Sequence, residues 1–134
     1  FDLHIVSNAP SFQILKEKKL NIKPKCRFFG HLWSLQKLIS VSQKCDFAIL
    51  PADKQWASAN RLITNFHLGL PVIAESISSY YEFSKFYSNF EEKKIIEMFN
   101  NPESWHESII LAQIEIESKF NKKTLTDLWK NILK

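Results

Sequence analysis

Glycine is almost missing from this chain: 134 residues contain two, Gly30 and Gly69. A dinucleotide-binding fingerprint needs three glycines at fixed spacing. A P-loop needs two followed by lysine, so neither motif can be written anywhere. That disfavours nicotinamide, flavin and ATP-hydrolysing chemistry. Cysteine is equally sparse. Cys26 and Cys45 stand far apart without metal-ligand spacing, which predicts reduced thiols serving as small core residues in a cytosolic compartment. No apolar run approaches the roughly 20 residues of a membrane-spanning helix. The chain opens on a strand-like segment rather than a basic and then apolar leader, so no signal peptide is expected. No serine sits in a nucleophile elbow. The four histidines, His4, His31, His67 and His106, are scattered rather than spaced as metal ligands, so no metal site and no cofactor is expected.

What is present suits a packed core. The composition is 45% hydrophobic, 13% aromatic and 24% charged, which marks a globular chain rather than a disordered one. The length fits one domain over residues 1–134. Four short apolar runs alternate with helical patterns: Leu3-His4-Ile5-Val6, Cys26-Arg27-Phe28-Phe29 ending on Gly30, Asp46 to Leu50 stopped by Pro51, and Pro71-Val72-Ile73-Ala74. Runs of this kind suit strands covered on both faces. Between them, Leu35, Leu38 and Ile39 mark a helix with Ser34 as its N-cap. Leu62, Ile63, Phe66 and Leu68 mark another, from about Ser58, which Gly69 stops. Beyond Tyr80 the pattern turns helical. A short helix over Lys93 to Phe99 ends at Asn100-Asn101-Pro102. A longer stripe then runs through Trp105, Ile109, Ala112, Ile116 and Phe120, and Leu125, Leu128, Trp129 and Ile132 extend it. The expected fold is α/β: a Rossmann-like open parallel sheet with helices on both faces and a C-terminal helical tail.

In such sheets ligands bind outside the carboxyl ends of the strands. The rule selects Ser7 and Asn8, Gly30 to Trp33, Pro51 to Asn60, and Glu75 to Glu82. The third segment is the most informative, because it joins a buried strand to a helix. Free amides at the helix start, reinforced by the helix dipole, make a phosphate site. Small Ala57, Ser58 and Ala59 allow close approach, Ser58 and Asn60 add hydrogen bonds, and Lys54 or Arg61 neutralises charge. The competing reading is an ordinary capped helix whose Arg61 pairs with a surface carboxylate. His31, at the end of a strand, is either a ligand contact or a loop residue, whereas His4 and His67 read as structural.

The net charge is +4, with the excess concentrated at Lys16, Lys18, Lys19, Lys23, Lys25 and Arg27. A solvated helix end and loop accounts for it, and so does attraction for an anionic ligand or membrane surface. Nucleic acid is not expected, because no aromatic or arginine-rich pattern accompanies the lysines.

Three segments together resemble the C-terminal domain of bacterial GT-B glycosyltransferases: Asp46-Phe47-Ala48-Ile49-Leu50-Pro51, Ser58-Ala59-Asn60-Arg61-Leu62, and Leu68-Gly69-Leu70-Pro71-Val72-Ile73-Ala74. Phe28-Phe29-Gly30-His31 is similar to that family's strand ending in glycine. Ser79-Tyr80-Tyr81-Glu82 stands where the family often carries a glutamate loop, and Pro102, Trp105 and Trp129 resemble its tail. The commonest form of the family has two glutamates with seven residues between them, and Trp56 and Thr64 occupy those places here. The resemblance therefore implies a donor-diphosphate site at Lys54, Ser58, Ala59, Asn60 and Arg61, without the glutamate that holds the ribose. Nucleoside or sugar contacts are expected more weakly from Ser7, Asn8, Gly30, His31, Trp33, Asp53, Tyr80 and Glu82.

The implied activity is sugar transfer from a UDP- or GDP-linked donor to an acceptor held by an N-terminal domain. Phe1 is not preceded by a methionine, so that domain is expected upstream and this chain alone is expected to be inactive. Any catalytic base is expected from the other half. The implied location is the cytoplasm, with contact at the inner membrane face. A second reading, from another class, is a non-catalytic α/β module that binds a protein or an anionic membrane. A receiver or flavodoxin-like domain is a third, but neither the acidic pocket of the one nor the phosphate loop of the other is recognisable.

Overall fold

The four apolar runs become four short strands paired in parallel, two and two. The computed structural model describes residues 2–11, 27–51 and 58–132, and the chain forms two compact units, Phe1–Cys45 and Asp46–Lys134. The α/β class expected from the alternation is present, and among the described residues four strands form two two-stranded parallel sheets.

In the first unit, β1 (Asp2–Ser7) pairs with β2 (Arg27–Leu32) in a register running from Asp2 opposite Arg27 to Ser7 opposite Leu32. Strand alternation puts Asp2, His4 and Val6 on one face with Arg27, Phe29 and His31. Leu3, Ile5 and Ser7 share the other face with Phe28, Gly30 and Leu32. Most of these residues are only half-buried. The second strand does not end on Gly30. The ladder carries through it, opposite Ile5, and the Trp33 amide donates to the Ser7 carbonyl at 2.8 Å. A glycine weakens a strand without stopping it when the neighbouring ladder is intact. Helix α1 (Leu35–Ser42) starts as expected: Ser34 is extended and its hydroxyl accepts from the Lys37 amide at 3.1 Å. That bond satisfies one of the amides a helix start leaves open.

The second unit opens with a β-α-β crossover. β3 (Ala48–Leu50) and β4 (Val72–Ala74) pair in parallel, with Ile49 opposite Ile73, and α2 (Asn60–His67) joins them. Leu62 and Phe66, one helical turn apart, face inward and are fully buried, so α2 packs on both strands. Each such side chain contributes about 1.5–3 kcal/mol by leaving water. The helix stops where Gly69 takes φ +76°. Its amide reaches the Phe66 carbonyl at 2.9 Å, and Leu70 reaches Asn65 at 3.0 Å. Only glycine enters that left-handed region at little cost.

After β4 comes a 3-10 helix (Ser78–Phe83), then α3 (Glu92–Asn100), α4 (Pro102–Phe120) and α5 (Lys122–Ile132). Ser88 extends the sheet past β4, donating to the Val72 carbonyl at 2.9 Å and accepting from the Ala74 amide at 2.8 Å. Ile109, Ala112 and Ile116 of the α4 stripe are buried, whereas Phe120 at its end is exposed. Gln113 on the same helix donates to the Phe66 carbonyl at 2.7 Å, which ties α4 to the last turn of α2. Pro102 occupies the first turn of α4, where a missing N–H costs nothing. Among the described residues, no helix is long and apolar enough to cross a membrane.

Candidate functional site

The β3–α2 connection is where sequence and fold meet. β3 ends on buried Leu50, and exposed Pro51 turns the chain away. Asp53 and Lys54, two of the expected ligand contacts, lie outside the described residues. From Ser58 onward the chain enters α2 with Ser58, Asn60 and Arg61 exposed and Ala59 half-buried. Because α2 follows the carboxyl end of β3 and runs back against the strands, its start belongs to the carboxyl edge of the β3–β4 sheet. In open parallel α/β sheets that edge is where ligands bind.

The number of amides at that start is smaller than the composition suggests. The first helical bond runs from the Ile63 amide to the Ala59 carbonyl at 3.0 Å, so the amides of Asn60, Arg61 and Leu62 precede the ladder. The Ser58 hydroxyl accepts from the Asn60 amide at 3.2 Å, making Ser58 a local cap. Leu62 is fully buried, which closes its amide to an incoming ligand. What remains for an anion is the amide and guanidinium of Arg61 together with the side chain of Asn60. Arg61 joins none of the ion pairs among the described residues. No acidic residue stands in the first turn to compete for a negative ligand.

The 3-10 helix carries two further expected contacts. Tyr80 is fully buried in the core, its ring edge-on to Tyr87, and its hydroxyl has no partner among the described residues. A ring with no exposed surface cannot stack on a nucleoside or sugar, so its place is structural. Sequence reasoning treated the segment from Glu75 to Glu82 as a ligand loop. The spacing of Tyr80, Phe83, Phe86 and Tyr87, all buried, was the overlooked signal of a packed turn. Glu82 is exposed and accepts from Lys119 at 2.7 Å. Lys119 also reaches Glu115 at 2.8 Å, and Glu115 reaches Lys85 at 2.6 Å. The bonds to Glu115 and then Glu82 raise the Lys119 pKa, while those from Lys119 and Lys85 lower that of Glu115. Glu82 is thus a member of a surface network that clips the 3-10 helix to α4.

The first unit gathers five expected contacts near the carboxyl ends of β1 and β2. The Ser7 hydroxyl donates to the Asn8 carbonyl at 3.3 Å. Asn8 Oδ1 accepts from the Ser11 amide at 3.2 Å and caps the helical turn at 9–11. Gly30 lies inside β2, and Trp33 is exposed. His31 is a strand residue whose Nε2 lies 3.0 Å from His4 Nδ1. Burial, then the charges of His4, Lys37 and Lys44, push its pKa below the ordinary 6.5. His4 read as merely structural in the sequence. Its partnership needs the β1–β2 register, which no local pattern reveals.

Cys45 is half-buried and Cys26 lies outside the described residues. Among the described residues no three His, Cys, Asp or Glu side chains form a metal-binding group. No protein-family model, no curated protein and no solved structure matches the chain.

Proposed function

We propose that this chain is the donor-binding half of a GT-B type glycosyltransferase, a Rossmann-like domain that holds a nucleotide-diphospho-sugar through its diphosphate. The observation that supports this best is the exposed start of α2 at the carboxyl edge of β3, where Arg61 stands outside the ion pairs of the described residues. Negative charge grows on the diphosphate as its bond to the sugar breaks. A guanidinium and a fixed amide aimed at that charge stabilise the leaving group without having to reorganise. Asn60 adds a neutral donor and Ser58 holds the turn in shape. The acceptor and any catalytic base belong to a separate N-terminal domain, so this chain binds donor but does not turn it over. The proposed location is cytoplasmic, at the inner face of the membrane.

The test is a titration of the full chain with UDP or GDP, followed by amide NMR. The expected result is a set of shifts confined to Ser58 through Leu62. Arg61→Ala should weaken binding by about 1–3 kcal/mol, the range for a charge-assisted hydrogen bond. Equal affinity in the variant removes Arg61 from the site, and silence with both nucleotides removes the donor-binding reading.

One observation favours a second reading, an interaction module without catalysis. Leu32, Trp33, Leu35 and Ile39 are exposed together around the end of β2 and the start of α1, in the unit whose Lys and Arg outnumber its Asp and Glu. Strong salt-sensitive binding to anionic vesicles, with no response to any nucleotide, would favour it.

A further inference from the structure

We infer that His4 and His31 form a proton-sharing contact across β1 and β2, which fails and loosens the first unit when neither ring keeps a nitrogen free to accept.

The geometry carries this. His4 Nδ1 and His31 Nε2 are 3.0 Å apart. The ring planes are parallel to within 3° and the ring centres are 5.3 Å apart. With the nitrogens so close and the centres so far, the rings meet edge to edge and the two nitrogens face each other head-on. A neutral imidazole has one donor and one acceptor nitrogen. The bond therefore forms when both rings are neutral, or when one is cationic and donates. With two cations there is no acceptor, and like charges sit at hydrogen-bond distance in a half-buried place. The head-on aim does not suit a metal ion: zinc at about 2.0–2.1 Å from both nitrogens would sit off the line joining them, away from the direction in which each ring nitrogen points.

The surroundings offer a second charge little relief, because Asp2, the carboxylate that attracts a charged His4, is already bound by Arg27. Phe29 stacks on the other side of His4 at 4.8 Å. On the same face of the sheet, Asp2 is held by Arg27 through two bonds of 2.7 Å, and that guanidinium lies 6.0 Å from the Phe29 ring. From α1 and the turn after it, Lys37 and Lys44 act on His31, both repelling a proton. Among the described residues, the charged groups facing the pair from β1, β2, α1 and the turn after it are therefore one carboxylate, already paired with a guanidinium, and three cations. Consistent with this, His31 holds its proton less tightly than an ordinary histidine, through burial first and then those charges. Its folded value lies below the ordinary 6.5, so its contribution to stability is complete above that pH and declines as pH falls below it.

The ring signals of His31 and the amide exchange of the full chain, followed from about pH 8 to about pH 5, test the idea. His31 should take up its proton below 6.5. Protection in β1 and β2 should fall by up to about tenfold per pH unit below 6.5 and level off once the folded ring has taken up its proton, while α2 and β4 keep theirs. In His31→Gln, whose amide can donate or accept but does not titrate here, β1 and β2 should stay protected across the range. An unchanged acid response in that variant overturns the inference. So does wild-type His31 titrating at its ordinary value with exchange in β1 and β2 unmoved, a result that needs no variant to fold.

Discussion

The two units are held together by different forces. Residues 1–45 carry eight Lys and Arg against two Asp and Glu, whereas residues 46–134 carry ten against twelve. In the first unit, Val41 and Ser42 are the buried residues among those described, and its strands are half-covered. In the second, Leu62, Phe66, Val72, Ile73, Ile77, Tyr80, Phe83 and Ile116 have almost no exposed surface. The second unit thus rests on apolar burial, which carries no titrating group. The first depends more on a ladder, an Asp2–Arg27 pair and a histidine contact, and the last two answer to pH or ionic strength. Similar β and α pieces therefore predict unlike responses to the same perturbation.

The contrast is tested hardest in the core. Phe66→Ala should destabilise the second unit by about 3–5 kcal/mol, the cost of a large ring lost from a close-packed site. Leu35→Ala, at a position 56% exposed in the first unit, should change stability by no more than about 0.5 kcal/mol. Denaturant unfolding followed by residue-resolved amide exchange measures both. Comparable losses would mean that Leu35 is covered in solution, and the contrast in burial would fail.

A smaller effect is expected at Gly69. A Cβ there meets nothing within 4 Å, so Gly69→Ala should cost only the strain of φ +76°, about 1–2 kcal/mol. A larger loss of melting temperature than that strain accounts for would point to crowding at the end of α2.

The smallest effect separates the units by pH. The Glu115 carboxyl is held below its ordinary 4.5 by Lys119 and then Lys85. A lowered carboxylate contributes stability above its unfolded value and loses it as pH falls through the folded one. The acid response from this group should therefore begin only below 4.5, and Glu115→Gln should flatten it. Asp2, lowered by Arg27, adds a response of the same sign in the first unit below 3.8. The histidine contact should already act from 6.5 downward. Simultaneous loss of protection in both units would erase the distinction.

Several elements were legible from residues alone because their causes are local. The Ser34 cap, the Gly69 stop, the Leu62 and Phe66 face of α2 and the Ile109–Ile116 stripe of α4 each follow from chemistry within one or two helical turns. The exposed entry into α2 with Arg61 was legible too, since a strand stopped by proline before a small-residue turn is a local signal. Less legible was how many amides that entry leaves open. Ser58 takes one and burial of Leu62 closes another, and burial depends on what packs above.

By itself, then, the sequence determined the order of strands and helices, the α/β class and the uneven placing of charge, because propensity, capping and composition act over short spans. Tertiary structure alone decided that the strands pair two and two. It also decided that Tyr80 belongs to the core rather than to a ligand, and that His4 faces His31 across 27 positions of sequence. Each depends on which distant residues come into register, and a pairing register is a property of two strands together that neither carries alone.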